Sequence, residues 1–289
     1  MQSRGFKMAL VQMKMQREKA KNVLKAHKMI SEAAEAGADV IVLPEAFTCN
    51  YSKFPILENA EPIDDYETNE EATAARMLSE AAKEHSVYII GGSIAERRDD
   101  GKIYNSSPCF DKEGNLALKY TKCHLFDVEI PEKDIKIKES DFYEFGDNFG
   151  IFETEYCKFG IGICYDARFP DFSQVLCREM GAEFLVMPAV FTAPTGEMHW
   201  DILRKTRALD NQAFFAFCSA ARPIEDPTLH QCYGHSSIVD PWGKVICDSG
   251  HEETIVYSDI DMTIVEECRS QIPCYSQRRH DLYKLDKVT

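Results

Sequence analysis

Cys164 has the sequence surroundings most typical of a nucleophile in this chain. Residues 159–170 read FGIGICYDARFP, an apolar run that reaches a cysteine, then a polar turn and a proline. This pattern predicts a strand followed by a nucleophile elbow, the tight turn that presents a side chain and the next backbone N–H at a strand end. A thiol there attacks carbon when its pKa falls below about 8.5 or when a base removes its proton. The alternative is a buried cysteine that only packs.

A nucleophilic thiol needs a base, and the sequence offers two candidates. Glu45 follows the apolar residues 40–43 and a proline, so it stands just past a predicted buried strand, where ligands collect in parallel α/β sheets. His124 is the second candidate, and spacing alone does not choose between the two. Lys122 lies nearby in the sequence and could stabilise a thiolate or an oxyanion. The alternatives are a helix-capping or surface role for Glu45 and a solvent-exposed Lys122.

Alternating strand and helix patterns predict the α/β domain that would position these residues. A strand at 7–13, an amphipathic helix at 18–36 and a buried strand at 38–43 form a βαβ unit. The same signals predict helices at 71–85, 172–180, 199–211 and 262–269, and strands at 87–91, 103–110, 116–119, 158–163, 183–187, 214–219, 236–239, 245–247 and 254–260. Residues 121–150 are expected to form a long, charged, irregular segment with a functional role.

The chain is expected to form a single domain over residues 1–289. Neither a repeat nor a Ser/Gly/Pro-rich linker divides it, although its length would also allow two domains. The dinucleotide fingerprint GxGxxG and the phosphate loop GxxxxGK[ST] are both missing from the sequence, so nucleotide binding of those types is excluded.

Composition excludes several classes of partner. The chain has 48 acidic and 33 basic residues and a net charge of −15, which argues against nucleic acid and anionic membranes as partners. Its eleven cysteines are odd in number and irregularly spaced, without a CxxC pair. We therefore expect neither a disulfide framework nor a zinc site. The N-terminus has no apolar signal region and no apolar stretch approaches about 20 residues, so a cytoplasmic protein is predicted.

The segments around Glu45, Lys122 and Cys164, in this order, resemble the nitrilase (carbon–nitrogen hydrolase) superfamily and its Glu-Lys-Cys triad. The resemblance covers nearly the whole chain, from 8–13 to 281–283. Further segments are similar to the omega-amidase branch: Gly234-His235-Ser236 with Asp240-Pro241-Trp242-Gly243, Thr195-Gly196 with His199-Trp200, RALDNQ at 207–212, and QIP at 271–273 with RRHDLY at 278–283. The resemblance implies a four-layer αββα sandwich.

The resemblance also implies a role for each matching residue. Glu45 matches the general base, Lys122 the oxyanion-stabilising lysine and Cys164 the nucleophile. Glu139 matches a second glutamate that orients the substrate beside the lysine. The implied reaction is attack of the thiol on an amide carbonyl, with the oxyanion held by Lys122 and the backbone N–H of Tyr165. Ammonia then leaves, and water hydrolyses the thioester without a metal or cofactor.

Omega-amidases hydrolyse the terminal amide of 2-oxoglutaramate and 2-oxosuccinamate, so the implied substrate is an anionic 2-oxo acid monoamide. Its far carboxylate needs a cationic or N–H-rich partner. Arg168 is the best-placed candidate, with Thr195 and His199 as lesser ones. In the alternative interpretation Arg168 forms a salt bridge with Asp166 or Asp171, and His199 belongs to the core.

Two other functions remain open from the sequence. One is another nitrilase-type amidase, acting on deaminated glutathione, an N-carbamoyl amine or a nitrile, because the same triad serves all of these substrates. The other is a catalytically inactive scaffold of the same fold, which the complete set of nucleophile, base and cation argues against. The resemblance further implies a homodimer or larger homo-oligomer, with the C-terminal tail at about 270–289 at the subunit interface.

Overall fold

The computed structural model describes residues 5–133 and 135–288. The parts of the predicted domain and tail that fall on residues 1–4, 134 and 289 lie outside the described residues. None of the helices within the described ranges is both long enough and apolar enough to cross a membrane.

Helices and strands are interspersed along the chain, with runs of consecutive strands between residues 88 and 138 and between residues 214 and 261. The α-helices described are α1 (Lys19–Glu35), α2 (Lys53–Glu58), α3 (Thr73–His85), α4 (Pro170–Gln174), α5 (Ala193–Asn211) and α6 (Thr263–Gln271). The strands are β1 (Gly5–Gln12), β2 (Val40–Val42), β3 (Tyr88–Ile90), β4 (Ile94–Arg97), β5 (Ile103–Phe110), β6 (Leu116–Thr121), β7 (Asp127–Ile130), β8 (Ile135–Lys138), β9 (Gly150–Glu153), β10 (Lys158–Ile161), β11 (Phe184–Ala189), β12 (Phe214–Ser219), β13 (Ser237–Val239), β14 (Val245–Asp248) and β15 (Thr254–Asp261).

The first sheet has the order β15-β1-β2-β3-β5-β4, with β6 paired to β5. Side chains alternate between its two faces, as a pleated strand requires. In β1, Ala9 and Val11 pack in one cluster with Ala26 and Ile30 of α1, whereas Met8 belongs to a different cluster shared with the second sheet. The first sheet therefore lies between helices and the second sheet.

The second sheet has the order β14-β13-β12-β11-β10-β9. Its cross-strand partners Phe159, Phe184 and Phe214 share a core with Phe6 of β1, whose ring centroid is 5.8 Å from that of Phe159. On the outer side, Trp200 of α5 stacks on a phenylalanine of β12. The layers thus run helix, sheet, sheet, helix, and the predicted αββα sandwich is confirmed.

The structure corrects two of the predicted elements. Residues 121–150 are not a long irregular segment, because they contain the β7–β8 hairpin, whose sequences DVEI and IKIK alternate with the period of a strand. The helix predicted at 199–211 begins at Ala193. Its earlier start follows from Thr192, whose side chain accepts the Thr195 N–H at 3.4 Å as an N-cap, and from a proline in the first turn.

Candidate active site

Cys164 lies three residues after the end of β10, at the first position of the short 3-10 helix Cys164–Arg168. Its φ of 49° is in the left-handed region, which is uncommon for residues other than glycine. Its side chain is 8% exposed and lines a cavity. A strained backbone that presents a side chain to a cavity at a strand end is the geometry of a nucleophile elbow. The predicted elbow is therefore present.

Glu45 and Lys122 follow β2 and β6, which end at the same edge of the first sheet. Lys122 Nζ lies 2.9 Å from Glu45 Oε1 and 2.9 Å from Glu139 Oε2. All three side chains are buried. The ammonium is thus shared between two carboxylates, and the three sequence-predicted residues come together as one charged cluster.

The two oxygens of Glu45 have different partners. Oε1 accepts the Lys122 ammonium and the Asn105 side-chain amide, the latter at 3.0 Å. Oε2 accepts the backbone N–H of Val190 at 3.0 Å. Because Val190 directly follows β11, this carboxylate connects the first sheet to the second.

Glu139 is held from two further directions. The backbone N–H of Phe126 donates to its Oε2 at 2.9 Å, and the Tyr51 hydroxyl donates to its Oε1. The same hydroxyl lies 3.4 Å from Glu45 Oε1. Tyr51 therefore contacts both carboxylates of the cluster.

Burial sets the protonation states at this site. It raises the pKa of the Cys164 thiol well above its ordinary value, Glu45 adds to the rise, and Lys122 opposes it. Burial lowers the pKa of Lys122, but Glu139 and Glu45 outweigh this and raise it well above its ordinary value. Burial raises the pKa of Glu139, and Lys122 opposes that rise. A neutral thiol beside a charged lysine needs a base to accept its proton during attack.

The cavity in front of Cys164 has about 320 Å³ of empty space, a figure that includes the solvent at its open mouth. Its apolar walls are built mainly from Phe126, Ile137 and Phe191. Its polar lining residues include Tyr51, Glu139, Tyr165, Arg168, Thr195 and His230. A concave, largely apolar cavity with a few convergent polar groups is the usual form of a small-molecule site.

Arg168 supplies a cation to this cavity. Its guanidinium lies 4.8 Å from the centre of the Phe191 ring, and one Nη is 3.0 Å from His199 Nδ1. Within the described residues its buried Nε has no hydrogen-bond partner. Burial lowers the pKa of Arg168 below its ordinary value. Among the carboxylates of residues 5–133 and 135–288, none forms a salt bridge with Arg168, so the alternative pairing with Asp166 or Asp171 is wrong.

Comparison with known proteins identifies the chain. The model of the carbon–nitrogen hydrolase family matches residues 7–270. This chain belongs to the carbon–nitrogen hydrolase family. It is 43% identical to omega-amidase NIT2 of Xenopus tropicalis over 98% of both chains, and 43% identical to omega-amidase NIT2 of Homo sapiens over 98% of both chains. Among solved structures it resembles Saccharomyces cerevisiae Nit3, a member of branch 10 of the nitrilase superfamily, with a TM-score of 0.84, 33% identity and coverage of 95% of this chain and 97% of that one.

The comparisons confirm the predicted omega-amidase branch of the nitrilase superfamily and the predicted hydrolase of carbon–nitrogen bonds. A small-molecule amide substrate follows at the level of the family. In the described parts of this carbon–nitrogen hydrolase, no group of three or more His, Cys, Asp or Glu side chains is arranged to hold a metal ion.

The other predicted residues have different positions relative to the cavity. Tyr165 and Thr195 line it. His199 does not line the cavity, but it contacts Arg168, which does line it. His124, the second candidate base, bonds Asp166 through Nδ1 at 2.7 Å. His124, Glu45 and Lys122 are all absent from the cavity lining, which the charged cluster reaches through Glu139. Of the two candidate bases, only Glu45 joins the charged cluster.

Sequence reasoning missed four groups of this carbon–nitrogen hydrolase site: Tyr51, Asn105, His230 and the backbone of Val190. His230 donates from Nε2 to the Val190 carbonyl at 2.8 Å, and burial lowers its pKa. A backbone N–H is available from almost any residue, so no sequence signal could have identified Val190. The position of Tyr51, shortly after Glu45, was the one available hint.

Proposed function

We propose that this chain is an omega-amidase that hydrolyses the terminal amide of an anionic 2-oxo acid monoamide, such as 2-oxoglutaramate or 2-oxosuccinamate. The observation that carries the proposal is one cavity lined by both the Cys164 thiol and a guanidinium without a carboxylate partner, that of Arg168. The thiol interacts electrostatically with the cluster of Glu45, Lys122 and Glu139, and Glu139 lines the same cavity. The 43% identity to omega-amidases supports the same activity.

In the first half-reaction Glu45 removes the proton of Cys164 as the sulfur attacks the amide carbon. Oε2 is suited to this transfer, because within the described residues it accepts only the Val190 N–H, whereas Oε1 is occupied by Lys122 and Asn105. Lys122 and the backbone N–H of Tyr165 stabilise the resulting oxyanion. Glu45 then returns the proton to nitrogen, the C–N bond breaks, and ammonia leaves a thioester on Cys164.

In the second half-reaction water attacks the thioester. Glu45 takes one proton from the water as the new C–O bond forms, and the C–S bond breaks to release the 2-oxo acid. The sulfur recovers its proton, which restores the neutral thiol that burial favours. Glu139 orients the substrate beside Lys122, and its contacts with Tyr51 and Phe126 fix its carboxylate for that task.

The far carboxylate of the substrate binds Arg168. Burial of the guanidinium beside apolar walls strengthens a charge-assisted hydrogen bond to an anion. Thr195 lines the same cavity, and His199 orients Arg168 through its 3.0 Å contact. A local cation can thus recruit an anion although the chain carries a net charge of −15.

Assembly and location complete the proposal. The chain forms a homodimer or larger homo-oligomer, with the tail from about residue 270 at the interface, where exposed apolar residues such as Leu282 and Tyr283 support an interface. It functions in the cytoplasm, where its eleven cysteines, all free thiols in the structure, are kept reduced. Size-exclusion chromatography with light scattering tests the assembly, and cell fractionation tests the location.

A panel of amide substrates tests the activity. Ammonia release is measured with 2-oxoglutaramate, 2-oxosuccinamate, deaminated glutathione, an N-carbamoyl amine and a nitrile at equal concentrations. We expect turnover of the two 2-oxo monoamides at least tenfold above the others. Preference for deaminated glutathione, the carbamoyl amine or the nitrile would overturn the assignment of substrate. Absence of both turnover and an acyl adduct on Cys164 by mass spectrometry would favour the inactive scaffold.

A further inference from the structure

Asp166 is a fully buried carboxylate that the proposed reaction does not use. It lies two residues after the nucleophile, its exposed fraction is 0%, and it is absent from the cavity lining. A buried carboxylate is costly unless hydrogen-bond donors surround it. The donors around Asp166 therefore indicate what it holds in place.

Four donors from two chain segments converge on this carboxylate. On the nucleophile side, the Ile163 N–H donates to Oδ2 at 2.8 Å. On the lysine side, the Tyr120 hydroxyl donates to Oδ2 at 2.7 Å, and His124 donates to Oδ1 through its backbone N–H at 3.0 Å and Nδ1 at 2.7 Å. Tyr120 also accepts the Cys123 N–H at 3.3 Å.

These donors flank the reacting groups on both sides. Ile163 and Asp166 enclose Cys164 in the sequence, and Tyr120 and His124 lie two residues before and after Lys122. One carboxylate thus joins the end of β6 in the first sheet to the strained turn after β10 in the second. Displacing either segment would separate the sulfur from the ammonium.

His124 completes this arrangement. Its ring stacks on Phe169 with centroids 3.7 Å apart, which fixes the imidazole plane against the helix that carries the nucleophile. Within residues 5–133 and 135–288 neither lysine nor arginine forms a salt bridge with Asp166, so the side chains that hold this carboxylate are those of His124 and Tyr120. His124, which the sequence offered as a candidate base, therefore binds the carboxylate of Asp166.

We propose that Asp166, together with His124 and Tyr120, is a positioning unit that sets the distance between Lys122 and Cys164. This inference rests on the proposed function for its turnover measurement, but not for its thiol-reactivity measurement. A misplacement of about 1 Å in a catalytic group can cost on the order of 100-fold in rate. We expect loss of this unit to lower mainly kcat rather than to raise KM, because none of the three side chains lines the substrate cavity.

Asp166→Asn is the main test, since it keeps the size of the side chain but replaces one acceptor oxygen with a donor. We expect kcat to fall about 100-fold with KM within threefold of wild type. Glu61→Gln is the matched control: Glu61 is also fully buried, accepts backbone N–H groups of α3 at 2.9 Å and is not among the residues that line the cavity. It should lower the melting temperature while kcat stays within twofold.

Single-contact variants keep the test decisive if Asp166→Asn fails to fold. Tyr120→Phe removes one hydroxyl donor, and His124→Phe keeps the stacked ring but removes the Nδ1 donor. Each should lower kcat about tenfold at unchanged KM, and together they should lower it by less than the product of the single effects. Full kcat in both folded single variants, or in folded Asp166→Asn, would overturn the proposal.

Thiol labelling separates this proposal from the proposed function. Iodoacetamide alkylates cysteines whatever the natural substrate is. Peptide mass spectrometry measures the labelling rate of Cys164 relative to that of the exposed Cys274 in the same chain. We expect Asp166→Asn to slow Cys164 labelling at least tenfold relative to Cys274, with Glu61→Gln unchanged. An unchanged ratio would overturn the positioning role, whereas lack of wild-type turnover with normal labelling would overturn only the substrate assignment.

Discussion

At the scale of single residues, the site is a buried ammonium between two carboxylates beside a neutral thiol. Lys122 touches Glu45 and Glu139 at 2.9 Å each, so its ammonium offsets part of the carboxylate charge buried here before any substrate arrives. When an oxyanion forms, the same ammonium is already oriented and needs no reorganisation. Lys122 therefore contributes to both stability and rate.

Lys122→Ala is expected to reduce kcat/KM at least 100-fold, because loss of one oxyanion donor costs about 3 kcal/mol. Steady-state ammonia release measures the rate, and thermal unfolding measures the accompanying loss of stability. Lys119→Ala is the matched control. Lys119 also bridges two carboxylates, Asp64 and Glu96, at 2.5 Å each, but neither of these belongs to the cluster of Glu45, Lys122 and Glu139. Comparable losses of rate in both variants would contradict the role of Lys122.

Arg168→Met should raise KM for 2-oxoglutaramate about 10- to 100-fold, because a hydrogen bond to a charged group contributes roughly 1.5–3 kcal/mol. A neutral amide of similar length should show little change in kcat/KM. His199→Ala, which removes only the partner of Arg168 at 3.0 Å, should give a smaller shift in the same direction. Equal losses on the anionic and neutral amides would argue that Arg168 supports the fold rather than the carboxylate.

The sequence predicted those site residues that act through their side chains and lie in a recognisable motif. Cys164 follows an apolar strand, and Glu45 and Lys122 match a known pattern. The 3.0 Å bond from Val190 N–H to Glu45 could not be predicted, because it depends on how two sheets pack rather than on residue type. Spacing did not separate His124 from Glu45 as a base. The family resemblance favoured Glu45, and in the structure Glu45 contacts Lys122 whereas His124 bonds Asp166.

At the scale of elements, the reactive side chains are positioned by the ends of strands. Close contacts between backbone segments hold those strand ends in place. Gly92 follows β3 with φ of 60°, and a Cβ there would lie 2.1 Å from the Pro44 carbonyl oxygen. Pro44 directly precedes Glu45. The turn after β3 therefore holds the segment that carries the proposed base, and only glycine fits that turn.

Gly92→Ala should destabilise the protein by roughly 2–5 kcal/mol, the combined cost of a left-handed alanine and of overpacking. It should also lower kcat of the folded fraction by displacing Glu45. Urea denaturation and ammonia release are the measurements. Gly101→Ala is the control, since Gly101 has φ of 78° with open space around it, and it should lose about 1 kcal/mol without loss of kcat. Identical behaviour of the two variants would exclude the contact with Pro44 as the cause.

Sequence patterns predicted elements of two kinds. The helix at 18–36, whose apolar residues follow the helical period, corresponds to α1. The strand at 214–219 matches β12, which is buried along its whole length. The hairpin of β7 and β8 was missed because its half-exposed strands lie in a highly charged stretch, where charge suggested a loop. The alternation in IKIK was the signal to weigh more heavily.

At the scale of the whole molecule, the two sheets carry different parts of the site. Glu45 and Lys122 follow strands of the first sheet, whereas Cys164 and Val190 follow strands of the second. The aromatic layer between the sheets therefore maintains the site as well as the fold. Phe184 is a central member, fully buried, with ring centroids 5.4 Å from Phe159 and 5.3 Å from its neighbour in β12.

Phe184→Ala should lower the free energy of unfolding by about 3–5 kcal/mol, because it leaves a cavity between the sheets. Chemical denaturation measures this change, and kcat at low temperature shows whether the remaining packing still aligns the site. Phe54→Ala is the control, since Phe54 is 74% exposed, and it should change stability by less than about 0.5 kcal/mol. A loss below 1 kcal/mol for Phe184→Ala would mean that the sheets do not depend on this layer.

The pairing of β1 with β15 has a consequence for how the chain is made. The two strands pair from Gly5 with Asp261 to Gln12 with Thr254, so β1 leaves the ribosome long before its antiparallel neighbour exists. At 5–20 residues per second this interval is roughly ten to fifty seconds. During that time one edge of β1 is open to strands of other chains. Premature termination before residue 254 would leave that edge permanently unpaired, so truncated translation products of this protein are expected to aggregate.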